Sequence, residues 1–375
     1  MKTRNSNFEL MRIISMLFII LWHILIHGHF FNNCENPSLK IIFAIILFAI
    51  AIHVNSFIIL TGYYQSNSKF KLRKLISIIF QVIFYSLLVL FIGIKMNWIE
   101  NYTIVNIITN ILPEAVNNYW FISLYLIIYT FSDYLNMFIH NLNKKQLENF
   151  ILLLFLVISI SPFLTGYRII NSEFAKIGVF ILMYIIGGYL NKYPLKENKS
   201  LKKLSITNYR LLLIGVFILC FMGNYFVYKF GLDIKGTGNV LNNISSRILA
   251  SPPTKYSNPF IVIQTIAYFE IFKSFSFKNR FINYISSCTF AVYLIHDHAV
   301  IRANIYKLFD IDRAFNNYSF ILKLFECMII IFIIGIIIES LRKLIIFIYH
   351  KIPFSKSISN LNKNFIKSIN KSIEY

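Results

Sequence analysis

At 375 residues, with a mean hydropathy of +0.63 and 57% hydrophobic content, the chain is too apolar from end to end to be a soluble globular protein. It carries 37 Lys and Arg against 16 Asp and Glu, a formal net charge of +21. Nucleic-acid binding would call for a basic soluble domain, and none is visible, so the charge is assigned to loops on the cytoplasmic face of a membrane.

Apolar runs near the length that crosses a bilayer recur along the whole chain. They predict ten spans, at 10–31, 40–62, 75–94, 119–139, 150–166, 174–190, 211–228, 258–275, 282–301 and 320–348, and hence an all-α polytopic helix bundle. The first residues mimic a signal peptide, with Lys2 and Arg4 ahead of an apolar stretch. Arg12 interrupts that stretch and no small-residue cleavage site follows, so it is expected to stay as the first span. Ten spans put both termini on one side. With that side cytoplasmic, roughly two thirds of the Lys and Arg fall in inner segments, a strong positive-inside bias at the plasma membrane.

The first span holds the main anomaly, Arg12 with His23, His27 and His29 among apolar residues. Arg12 and His23 are eleven residues apart. That is three helical turns and about 20°, so they share one face about 16 Å apart along the axis. Ionisable groups in a spanning helix face the protein interior or a wet cavity. His23 fits either a hydrogen-bonded histidine of the bundle or a neutral general base beside a water-accessible channel. Arg12 alone reads as an interface anchor; beside His23 it is a candidate for holding an anionic ligand, with Glu9 one turn away to orient it. His27 and His29 are assigned to the interface.

Further along, His53 and Asn55 fit either side chains lining a cavity or side chains bonding neighbouring helices, the second being the plainer reading. The run Lys69, Lys71, Arg73, Lys74 marks topology and could also meet phosphates. The aromatics of 117–136 are read as interface belt and packing rather than as a binding platform. The inner loop 191–210 is lysine-rich, and the outer loops 95–118 and 229–257 are the long ones. Gly236 and Gly238 follow no strand and open no phosphate-binding helix, so they are turn residues. Glu270 and Glu326 are acids awaiting basic partners. In the predicted ninth span Tyr293 and His296 are three apart and neighbours on one face, whereas His296 and His298 diverge, which argues against a two-histidine metal site. The plain readings are packing for Tyr293 and a wet interface for His298. Cys34, Cys220, Cys288 and Cys327 have neither metal spacing nor disulfide pairing. Residues 1–348 form the membrane domain. The tail 349–375 places Ile358, Leu361, Phe365 and Ile369 at helical spacing between lysines, an amphipathic helix for an anionic lipid surface.

Four ordered stretches carry a family resemblance. Arg4, Leu10, Arg12 and His23 resemble the N-terminal signature of the acyltransferase-3 membrane proteins, which acylate cell-surface glycans. The segment 55–64, NSFIILTGYY, resembles that family's second span ending in Ser/Thr-Gly-Tyr. Residues 118–136 resemble its Trp-aromatic-Tyr span, with Ser132 where many members have proline. Residues 286–298, SSCTFAVYLIHDH, resemble its Thr-Phe-x-Val-Tyr-Leu-Ile-His segment. The resemblance runs from about residue 5 to 348. It implies an acyl-CoA co-substrate, usually acetyl-CoA, bound from the cytoplasm by Arg12 and by Lys71, Arg73 and Lys74. It implies His23 as general base towards a glycan hydroxyl, with Tyr293 and His296 as further site residues; no metal is expected, on the spacing of the histidines and cysteines. Envelope-biosynthesis proteins and membrane lipids are the expected partners. A flippase or a polymerase of lipid-linked glycans is the alternative class; a transporter would be expected to show paired halves with Gly- or Pro-broken helices, and the sequence shows none.

Overall fold

Where lipid replaces water, a backbone must satisfy its own N–H and C=O groups, and long apolar runs therefore fold as helices. The computed structural model describes residues 5–99, 103–111, 119–165, 172–233, 255–311 and 315–351. Among them every regular element is helical. In chain order they are α1 (Asn7–His27), α2 (Phe30–Asn33), α3 (Pro37–Ile50), α4 (His53–Gln65), α5 (Leu72–Lys95), α6 (Ile104–Ile111), α7 (Trp120–Thr130), α8 (Ser132–Asn141), α9 (Lys144–Phe155), α10 (Ser161–Thr165), α11 (Ser172–Lys192), α12 (Lys199–Lys202), α13 (Ile206–Asp233), α14 (Pro259–Lys273), α15 (Arg280–Ser286), α16 (Thr289–His296), α17 (Ala299–Asn304) and α18 (Ser319–Lys351). Asparagine opens many of them: Asn36, Asn143, Asn258 and Asn279 each accept from backbone N–H groups of the first turn.

Among the described residues seven stretches are long and apolar enough to cross a membrane, and eight if the pair α7–α8, bent by 56° at Phe131, counts as one. This is a multi-pass membrane protein. Large apolar side chains such as Phe80, Leu219, Leu322 and Ile345 are exposed on the outer surface, as a lipid-facing surface requires and a water-facing one would not tolerate in such number. The two remaining predicted spans are shorter in the structure. The fifteen residues of α14 reach only about 22 Å, less than a hydrocarbon core. The predicted ninth span breaks at Ser287–Cys288 and again at Asp297–His298, giving α15, α16 and α17. Breaks of this kind at membrane depth are tolerated where protein surrounds them or a cavity adjoins them.

α4 and α11 form the most intimate helix pair. A Cβ on Gly62 would stand 2.1 Å from the Tyr184 carbonyl oxygen, and one on Gly187 would stand 2.2 Å from that of Ile59. Bare backbone on both sides allows this approach. Gly62 is the glycine of the Thr61-Gly62-Tyr63 signature, and the helix contact is what it serves.

Polar contacts gather the basic segments at one end of the bundle. Lys192 Nζ donates to the carbonyls of Ile139, His140 and Leu142, and Lys273 Nζ to that of Leu190. Arg210 holds Ser274, Lys343 holds Ser287, and Asn7 at the start of α1 donates to Phe272 and Phe275 carbonyls. Glu270 finds the partners its burial demands, Tyr209 at 2.8 Å and Lys273 at 3.0 Å. A second acid, Glu339, is buried against Arg342, Lys343 and Tyr85 and ties α18 to α5. Glu326 lies on the exposed face of α18. The four cysteines are free and buried. Gly236, Gly238, most of the 229–257 loop and the tail 352–375 lie outside the described residues.

Candidate active site

α1 is unbroken from Asn7 to His27, so Arg12 and His23 keep the single-face relation their spacing dictates. Both line one internal cavity of about 300 Å³. Its walls come from α1, α4, α5 and α7, from the broken segment α15–α16, and from Tyr256 ahead of α14. Apolar and aromatic side chains make up most of the lining surface, with polar groups such as Glu9, Arg12, His23, His53 and Asp297 set among them, a character suited to a small-molecule site.

At the basic end, Arg12 Nη1 lies 2.7 Å from Glu9 Oε2, and the Ser286 hydroxyl donates to the same oxygen at 2.6 Å. Glu9 is buried and Arg12 only partly so. The carboxylate thus pins the guanidinium at one side, and its other N–H groups make no hydrogen bond among the described residues. Arg12 also lies over the Tyr64 ring, 5.8 Å from its centre.

Some 16 Å along the helix the chemistry changes. His23 Nδ1 sits 3.1 Å from His296 Nε2 and 3.5 Å from Asp297 Oδ1. Asp297 is buried and held by Arg302 Nη1 at 3.1 Å. The break after α16 is what brings Asp297 here, since an uninterrupted helix would carry it away from the face of His296. Tyr293 lines the cavity beside this cluster, packed on Phe121 and Tyr119. Tyr119 in turn donates to the Leu294 carbonyl at 2.6 Å and fixes α16 against α7. His53 Nδ1 donates to the Ile50 carbonyl at 2.8 Å, and the ring packs on Trp22 and Tyr256 and lines the cavity as well.

The structure therefore brings together Arg12, His23, Tyr293 and His296, all of them singled out from the sequence. It separates Lys71, Arg73 and Lys74 from that set. These three are exposed at the start of α5 and do not line the cavity; Lys74 lies over Tyr129, 4.4 Å from the ring centre, and Tyr129 stacks on the cavity-lining Tyr125. They flank its basic end.

Three sequence assignments need correcting. His27 is not merely interfacial: its ring lies 5.0 Å from that of His23. His298 is not at a wet surface but buried, accepting from Val300 N as the cap of α17. Trp120, Phe121 and Tyr125, read as belt and packing, form part of the cavity wall, with Trp120 stacked on Tyr256 at 5.4 Å. Asp297 and Arg302 are site residues that the sequence reading does not single out. The signal for Asp297 was present, a carboxylate inside a predicted span, whereas Arg302 could be recognised only once the break after α16 was known.

His23, His27 and Asp297 offer ligand atoms within 4.8 Å of one another, the spacing of a metal site. Asp297, however, already carries the guanidinium of Arg302, which supplies the positive charge a cation would bring.

A family model described as an acyltransferase domain, acyltransferase-3, matches residues 5–351. The chain belongs to the acyltransferase-3 family. No curated protein and no solved structure matches it. Membership makes this multi-pass protein an acyltransferase, and the acyltransferase-3 match spans both ends of the cavity, from Arg12 in α1 to the segment that carries Tyr293, His296 and Asp297. It also covers α18, whose Glu339 cluster lies outside the cavity lining.

Proposed function

We propose that this acyltransferase moves an acetyl group from acetyl-CoA, entering from the cytoplasm, to a hydroxyl of an exopolysaccharide, capsule or other cell-envelope glycan. The observation that carries the proposal is the single cavity with a cation at one end and an imidazole at the other. An extended pantetheine arm is of the same order as the roughly 16 Å between them. In this reading Arg12, steadied by Glu9, meets the donor's phosphates together with Lys71, Arg73 and Lys74 at the cavity's basic margin.

His23 acts as general base. It takes the proton of the acceptor hydroxyl as that oxygen attacks the thioester carbonyl; the carbon–sulfur bond then breaks, and the thiolate recovers the proton from His23. Tyr293 and His296 support the reacting end, and Trp120 and Tyr256 offer aromatic faces to an apolar arm or a sugar ring. Both termini are cytoplasmic in this scheme, and the tail 352–375 lies against the inner leaflet.

The test is the O-acetyl content of the surface glycan, read by NMR, in a deletion strain with and without the wild-type protein. Loss of acetyl groups on deletion and recovery on complementation are expected. Unchanged acetylation with failed glycan export would instead favour a transporter. A reporter fused after Tyr375 is expected to be active only in the cytoplasm.

A further inference from the structure

His23 has two ring nitrogens, and only a bare one can accept a proton. Which one is bare follows from a chain of contacts that begins at a backbone carbonyl. His296 Nδ1 lies 2.6 Å from the carbonyl oxygen of Val292, four residues earlier in α16. A carbonyl only accepts, so His296 Nδ1 carries a hydrogen. His296 is buried, and a second hydrogen would leave an imidazolium there with no carboxylate of its own, since Asp297 is taken by Arg302. Its Nε2 is therefore a lone pair. That lone pair faces His23 Nδ1 at 3.1 Å, and Asp297 Oδ1 faces the same nitrogen at 3.5 Å. Two acceptors aimed at one nitrogen require it to be the donor.

We infer that His296 and Asp297 are positioning residues that hold His23 as its Nδ1–H tautomer, leaving Nε2 as the basic nitrogen. The order of donation runs from His23 Nδ1 to His296 Nε2, and from His296 Nδ1 to the Val292 carbonyl. His23 Nε2 makes no hydrogen bond among the described residues, and the ring lines the cavity. When Nε2 gains a proton, Asp297 faces the imidazolium that forms. The aspartate of a serine-protease triad does the same for its histidine by a different fold, so the requirement is chemical and not inherited. The break between α16 and α17 has a purpose on this account: it lets consecutive residues, His296 and Asp297, address one atom. This inference rests on His23 being the base, but tautomer and turnover are separately measurable.

The measurement is nitrogen NMR of full-length protein in lipid nanodiscs, with ¹⁵N-labelled histidine and His23 assigned by its loss in His23→Gln. The resting protein is expected to show hydrogen on Nδ1 and a bare Nε2; hydrogen on Nε2 overturns the inference whatever the enzyme's activity. Two variants supply the functional arm. His296→Gln places an amide oxygen near the position of Nε2, and is expected to keep the tautomer and most of kcat. His296→Leu offers no acceptor and is expected to give mixed tautomers and to lower kcat by about 10²-fold with the KM for acetyl-CoA unchanged. Equal losses in the two variants, or no loss in either, would sink the positioning role. A His23→Ala protein that still transfers at full rate would instead remove the general base while leaving the tautomer result standing.

Discussion

Adding one methyl group at Gly62 should damage the site without touching it. The Cβ of Gly62→Ala would lie 2.1 Å from the Tyr184 carbonyl oxygen and 2.7 Å from two further backbone atoms of that residue. Comfortable carbon contacts begin near 3.5 Å, so α4 and α11 must part by about 1 Å or more. A radial gap of that size forfeits up to about half of each atom-pair attraction across the seam. No flexible side-chain tip can yield, because the obstacle is backbone. The expected loss lies at or beyond the upper end of the usual overpacking range of about 1–3 kcal/mol. α4 also carries Phe57, Leu60 and Thr61 into the cavity wall, so transfer should fall with stability. Gly187→Ala strikes the same seam, 2.2 Å from Ile59 O, and the double variant should lose less than the sum because one separation relieves both clashes. Gly215→Ala is the control, since a Cβ there meets nothing within 4 Å, and a helical Gly→Ala change should hold or raise stability by up to about 1 kcal/mol. Thermal unfolding in detergent, read by static light scattering, measures all four. If Gly62→Ala melts with the wild type while Gly215→Ala does not differ from it, the close-packed seam is wrong.

Other variants probe the charged groups. Glu9→Gln removes the carboxylate that steadies Arg12, and should raise the KM for acetyl-CoA more than it lowers kcat in a proteoliposome transfer assay. Glu339→Gln leaves Arg342 without its charged partner and weakens the tie from Tyr85; a stability loss of about 1.5–3 kcal/mol is expected in the same thermal assay, with residual activity proportional to folded protein. Asp297→Asn keeps the side-chain shape but leaves Arg302 uncompensated and gives His23 a weaker acceptor. It should therefore cost stability as well, but cut kcat beyond what the loss of folded protein explains; a fall in activity no larger than the fall in folded protein would point to a structural role alone.

Most of the long helices were legible because lipid leaves few alternatives: seven of the predicted spans return as long helices or helix pairs near their predicted bounds, and an eighth as the bent α7–α8 pair. The Arg12–His23 stripe was legible for the same reason, since helical spacing alone puts both residues on one face. What hydropathy could not show is where an apolar run breaks. Residues 282–301 are apolar enough to read as one span, yet Ser287–Cys288 and Asp297–His298 interrupt it, and those interruptions deliver Ser286 to Glu9 and Asp297 to His23. His27 was lost to the opposite error. Its place near the end of α1 suggested an interface, whereas its four-residue spacing from His23 already put the two rings on one face. The aromatic wall at Trp120, Phe121 and Tyr125 was hidden because belt, core and cavity use the same residue types. Lys71, Arg73 and Lys74 were visible as charges, but their distance from the cavity was not.

The account stands most directly on one measurement: the O-acetyl content of surface glycan from a deletion strain expressing His23→Gln at the level of the wild type. The cavity, Arg12 and the helix bundle all remain in that variant, and only the proton acceptor is gone. The account predicts acetylation no higher than in the deletion strain. Full acetylation would contradict His23 as the base.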